Sequence, residues 1–173
     1  ANVMMGDGSL GSNETGGHNV AVGHFALNNS TGDDNTGIGS NALRSNTSGG
    51  QNTSVGKSAL TANTTGLRNT AVGREALQAN TTASQNTAVG SGALAANTTG
   101  YSHTAVGHGA LDTQNGGYAC GAFGVDALRS CTTGVNNQAF GFNALAAVTT
   151  GAHNVAMGVA AGQSITTGNG NVC

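Results

Sequence analysis

Five histidines, three cysteines and seven carboxylates are the groups of this 173-residue chain that could do acid–base, metal or thiol chemistry. A zinc site needs three or four convergent ligands, and a hydrolase of glycosidic bonds needs two facing carboxylates. His24 and His108, and likewise His18 and His153, recur in matching surroundings but far apart in sequence, while His103 stands where most comparable positions carry Asn. Asp33-Asp34 is the one acidic doublet, a place for a surface cation or, more simply, a solvated turn. No Ser/His/Asp order repeats, and no Lys-Ser/Thr follows the Gly-x-x-Ala-Leu segments as a phosphate loop would require. Read this way, the chain has no catalytic residue, no metal site and no cofactor. Cys120 and Cys131 are the exception that invites a specific expectation, and it depends on the repeat that positions them.

The strings Asn19-Val-Ala-Val-Gly23, Asn52-Thr-Ser-Val-Gly56, Asn69-Thr-Ala-Val-Gly73 and Asn86-Thr-Ala-Val-Gly90 set a register. Units start at 2, 19, 35, 52, 69, 86, 103, 120, 137, 154 and 171, always 17 residues apart except for the 16 between 19 and 35. One array fills residues 1–173, with no separate domain or linker, and it reads as a segment of a longer fibre. The unit, numbered 1 to 17, is Asn-Thr-Ala-Val-Gly-x-x-Ala-Leu-x-x-Asn-Thr-Thr-Gly-x-x. Seventeen residues are too few for a helix pair or a leucine-rich repeat and suit one coil of a parallel β-solenoid. Thr-Ala-Val forms a short strand, a turn glycine at position 5 (Gly23, Gly56, Gly73, Gly90, Gly107) ends it, and the following Ala-Leu packs inward. That second segment is expected to be extended, with a single helical turn as the alternative.

All 12 charges fall at positions 6, 7, 10, 13, 16 or 17. Because an unpaired buried charge costs several kcal/mol, this split assigns the apolar positions to the inside. The expected core is position 4 together with position 9: Val22, Leu27, Val55, Leu60, Val72, Leu77, Val89, Leu94, Val106 and Leu111. Such a core is thin, so self-association would supply missing burial. Stacked Asn at position 1 would form a hydrogen-bonded ladder, which makes the frequent sequons (Asn13, Asn28, Asn29, Asn46, Asn52, Asn63, Asn80, Asn97) a by-product of the repeat rather than glycan sites. Cys120 and Cys131 occupy positions 1 and 12 of one unit, both usually Asn. Their joint replacement suggests neighbours across the coil and a disulfide, hence an oxidising setting; Cys173 is too far along the array to join them.

Composition excludes other classes. With five Lys plus Arg and a net charge of −2, a nucleic-acid binder is not expected. No apolar run approaches the roughly 18 residues of a membrane span, so membrane insertion is not expected.

The repeat resembles those of bacteriophage and large-virus tail fibres and bacterial surface adhesins. It is also similar to the head repeat of trimeric autotransporter adhesins, whose core is Ser-Val-Ala-Ile-Gly. That head is a trimeric left-handed parallel β-roll, and the resemblance implies an all-β, left-handed solenoid in a trimeric or end-to-end fibre. The unit here is longer, and its Ala-Leu pair lies outside the adhesin pattern. The expected role is an extracellular structural fibre segment, on a cell surface or virion. Its partners would be other copies of itself and a host-surface receptor or glycan, touched by Phe25, Tyr101, Tyr118 and Phe142. Ice binding is the alternative, suggested by Thr or Ser at position 14 in most units. A β-helical depolymerase is weaker still, lacking paired carboxylates.

Overall fold

A computed structural model describes residues 1–13 and 15–173. It is an all-β solenoid whose ten strands are three residues each: β1 Val3–Met5, β2 Val20–Val22, β3 Thr36–Ile38, β4 Thr53–Val55, β5 Thr70–Val72, β6 Thr87–Val89, β7 Thr104–Val106, β8 Gly121–Phe123, β9 Gln138–Phe140 and β10 Val155–Met157. They form one parallel sheet in chain order, each coil directly over the last. Repeat positions pair with themselves, as in Thr70↔Thr87, Ala71↔Ala88 and Val72↔Val89. The sequence period therefore becomes the register of the sheet.

Alternate residues of a strand point to opposite faces, and the structure turns position 3 inward. Ala21, Ala71, Ala88 and Ala105 are fully buried, and Ser54 in the same place satisfies its hydroxyl on Ala59 O at 2.8 Å. Opposite them the leucines of position 9 close the core, with Leu27, Leu60, Leu77, Leu94 and Leu111 all at 0% exposure. The position-4 residues are not core. Val22 and Val55 are half-buried, and Val72, Val89 and Val106 are 36–37% exposed, on the outer face of the sheet. The physical reason is width: a sheet facing a leucine row across one coil leaves room for an alanine methyl. At Gly37, a Cβ would already lie 3.1 Å from Leu27 Cγ.

The segment after the strand is neither extended nor helical. In the coil beginning at Asn86, three turns follow one another: Ala93 N–H donates to Gly90 O, Ala95 N–H to Gly92 O and Asn97 N–H to Leu94 O, at 3.2–3.3 Å. The intervening amides donate to the next coil, Leu94 to Ala110 O and Ala96 to Asp112 O, both at 3.0 Å. From Gly92 to Asn97 every N–H is thus paired, half within the coil and half along the stack, as a buried backbone requires. The price of this geometry is a positive φ at the third residue of the first two turns, as type II turns demand. Leu77 has φ 50° and Glu75 φ 60°, and their counterparts in other coils are alike. Position 5 is more demanding. Gly73 has φ +134°, and a Cβ there would lie 2.5 Å from Gly90 O, so the expected turn glycines Gly23, Gly56, Gly73, Gly90 and Gly107 are required both for conformation and for coil-to-coil approach.

The left-handed backbone at Leu77 predicts an unusual mutational order. Leu77→Met keeps volume and an unbranched Cβ, and should cost less than about 1.5 kcal/mol in denaturant unfolding. Leu77→Ile keeps volume too, but places a β-branched residue at φ 50° and should cost about 2 kcal/mol more than the Met variant. Equal losses would contradict the turn assignment.

Candidate functional site

Two features of the solenoid carry its polar and its interactive chemistry: a buried double ladder of carboxamides and the charge-free outer face of the sheet. The ladder solves a specific accounting problem. At position 1 the backbone N–H has no backbone partner, and the position-15 carbonyl turns into the coil. Asn52 answers both: its N–H donates to Asn35 Oδ1 at 3.1 Å, and its Nδ2 donates to Gly66 O of its own coil at 2.8 Å. Asn69 repeats this with Asn52 Oδ1 at 2.9 Å and Ala83 O at 2.8 Å. A second ladder runs at position 12, where Asn63 Nδ2 donates to Asn46 Oδ1 at 2.8 Å and to the same Gly66 O at 3.1 Å. The two ladders converge on one carbonyl, so positions 1 and 12 are neighbours across the coil.

This burial disposes of most sequons as modification sites. Asn46, Asn52, Asn63, Asn80 and Asn97 are fully buried in the ladders. Asn29 is the sequon residue whose side chain is exposed.

The ladder changes character in two consecutive coils. His103 and Gln114 replace the asparagines in one, Cys120 and Cys131 in the next, so two large side chains stack against two small ones. His103 is buried, unlike the exposed His18, His24, His108 and His153, because it stands in the position-1 ladder. Its Nδ1 accepts from Cys120 N–H at 3.3 Å, where an Asn oxygen serves in other coils. Cys120 Sγ donates to Gly134 O at 3.2 Å, substituting for the carboxamide. The expected proximity of Cys120 and Cys131 is therefore present, but the expected disulfide is not: both are buried free thiols. Hydrogen bonding from Cys131, aided by His103, holds the Cys120 thiol below its ordinary value, and the same contact together with burial pushes Cys131 up. Cys173 is an exposed free thiol.

Asp33 and Asp34 are occupied by the protein around the short unit. Gly17 N–H donates to Asp33 Oδ1 at 2.7 Å, and Asp34 lies 3.6 Å from His18 Nδ1. Among the described residues, no group of three or more His, Cys, Asp or Glu side chains is arranged to hold a metal ion, and no helix is long and apolar enough to cross a membrane.

The outer sheet face presents positions 2 and 4 of every strand and carries no charge. Its position-4 column passes from valine to Phe123, Phe140 and Met157 at the C-terminal end. Phe123 and Phe140 stack at 5.0 Å with 3° between their planes. Beside them, position 6 also becomes apolar, with Val125 41%, Phe142 50% and Val159 76% exposed. The expected contact residues do not gather in one place. Phe142 belongs to this patch. Tyr101 and Tyr118 are exposed but stack on each other at 5.4 Å, at position 16 outside the ten strands, and Phe25 is half-buried under the Arg44 guanidinium, 5.1 Å from its ring centroid. Phe123 and Phe140 stand at position 4, which the charge pattern places inside. The signal against that was present: a closed core position does not vary between Val and Phe while its neighbour stays Leu.

Asn69→Ala removes the acceptor of Asn86 N–H and the donor to Ala83 O. Ala83 O keeps its bond from Asn80 Nδ2 at 3.0 Å, so the Asn86 N–H is the group left unpaired and unfolding should shift by about 1–3 kcal/mol; a loss below about 0.5 kcal/mol would show the ladder to be incidental. Native iodoacetamide treatment should label Cys173 and spare Cys120 and Cys131, with all three labelled in denaturant. Two cysteines unreactive in denaturant, with a mass deficit of two hydrogens, would mean a disulfide instead.

No known protein-family model, curated protein or solved structure matches this chain.

Proposed function

We propose that the chain is a structural, non-enzymatic fibre segment that associates with further copies of itself through the C-terminal part of its outer sheet face. The observation that carries this reading is the apolar, charge-free patch of Phe123, Val125, Phe140, Phe142, Met157 and Val159. Contiguous exposed apolar surface of this kind marks interaction sites. Stacked rings give it a rigid surface, and the absence of charge suits an identical patch on a second copy. The tail-fibre and adhesin resemblance supports the same role, with the solenoid as a stiff shaft outside the cell, on a surface or virion. On this reading the homotrimer is the simplest closed assembly, with an end-to-end filament the open one. The stacked pair Tyr101 and Tyr118 lies off the association face, where a receptor or glycan could reach it.

Sedimentation of the full chain tests the association. Wild type should form an oligomer with a concentration-dependent midpoint. Phe140 is not part of the buried core, and Phe140→Ser should remove about 1.5–3 kcal/mol per interface, weakening assembly on the order of 10- to 100-fold. A chain that stays monomeric at all concentrations, or assembly indifferent to Phe140→Ser, would refute the proposal.

A further inference from the structure

Two columns of threonine hydroxyls contrast. Those at position 13 are used by the fold: Thr47 Oγ1 donates to Thr64 O at 2.9 Å, Thr64 Oγ1 to Thr81 O at 3.0 Å and Thr149 Oγ1 to Thr166 O at 3.3 Å. Those at position 2 are different. Thr36, Thr53, Thr70, Thr87 and Thr104 stand on five consecutive strands, β3 to β7, half-buried on the outer face. Among the described residues none of these five hydroxyls has a protein partner, so water must satisfy them. Beside them on the same face stand Ile38, Val55, Val72, Val89 and Val106.

The strands are in register, so these ten residues form a lattice, five rungs by two columns. Its spacings are about 4.8 Å between rungs and about 6.6 Å between columns. Waters held by the threonine hydroxyls repeat with their column at about 4.8 Å, close to an oxygen repeat on the surface of ice. Methyl groups of both columns fill the gaps and exclude other water arrangements. The array is also uncharged, matching an uncharged lattice, where a charged ligand would find no counter-charge. A second copy fits this stretch poorly, because face-to-face packing would strip water from hydroxyls that the opposing valines cannot pair. The chemistry changes at β8, where Gly121 and Gln138 end the threonine column and the aromatic patch begins.

We propose that the Thr–Val/Ile array over β3–β7 is a binding face for ice. It differs from the Thr or Ser column at position 14, which lies outside the sheet. The inference does not rest on self-association, although a fibre would present several such arrays on one particle.

The test is thermal hysteresis and ice-affinity partition of the full chain, with sedimentation of the same samples. Ice should incorporate the wild type and be shaped by it. Thr70→Tyr, a bulky change on the central rung, should abolish most of the hysteresis with unchanged circular dichroism. Thr65→Tyr at position 14 and Phe140→Ser on the aromatic patch should leave it intact. No hysteresis in a folded chain overturns the ice face whatever its oligomeric state, and so does equal loss in Thr65→Tyr. Hysteresis in a monomer would keep the ice face and refute the association reading alone.

Discussion

The constraint on which this structure depends is that the backbone must be hydrogen-bonded mainly along one axis. A coil of 17 residues has only three in a strand, so ladder pairing of the ordinary kind covers a minor part of it. The remainder is paired by two devices. Successive turns after position 5 alternate amides between the coil itself and its neighbour, and carboxamides at positions 1 and 12 stand in for missing backbone partners. The carboxamide device works only if an acceptor stands in the same place one coil earlier, as Asn69 N–H needs Asn52 Oδ1 and Asn86 N–H needs Asn69 Oδ1. The sequence repeat is thus a direct consequence of hydrogen-bond accounting.

The hydrophobic core is subordinate to that scheme. Each coil contributes one leucine and two small residues, with Leu77, Ala71 and Ala76 typical. The leucine is held in a left-handed conformation that unbranched residues tolerate better than β-branched ones. A core this narrow cannot take the strand's larger side chains, so those point to solvent and form a long uncharged surface. Stability and surface chemistry therefore share one cause. The alanine inside dictates the valine outside.

Much of the coil was legible in the sequence. The period gave the register, the leucine column gave the core row, and Gly at position 5 marked the tight approach that the +134° φ of Gly73 embodies. The pairing of Cys120 with Cys131 as neighbours was readable because both replaced Asn in one unit. The sidedness of the strand was not. Charge avoidance separates inside from outside only where outside means ordinary solvent, and position 4 is apolar for another reason. Nor was the conformation after Gly73 evident from helix or strand propensity. Its trace is negative: among 22 threonines and the many valines, none occupies position 7, 9 or 17, where Glu75, Leu77 and Arg68 have positive φ.

The claim that the coil is alanine-lined within and valine-covered without can be tested by two reciprocal substitutions on one strand. Thermal and denaturant unfolding of Ala71→Val and Val72→Ala, at concentrations below any assembly, measures it directly. The account predicts that Ala71→Val overpacks the coil and loses about 1–3 kcal/mol, while Val72→Ala stays within about 0.5 kcal/mol of the parent. A loss of 2 kcal/mol or more in Val72→Ala, of the order of a cavity, with Ala71→Val neutral, would mean that the strand faces the other way.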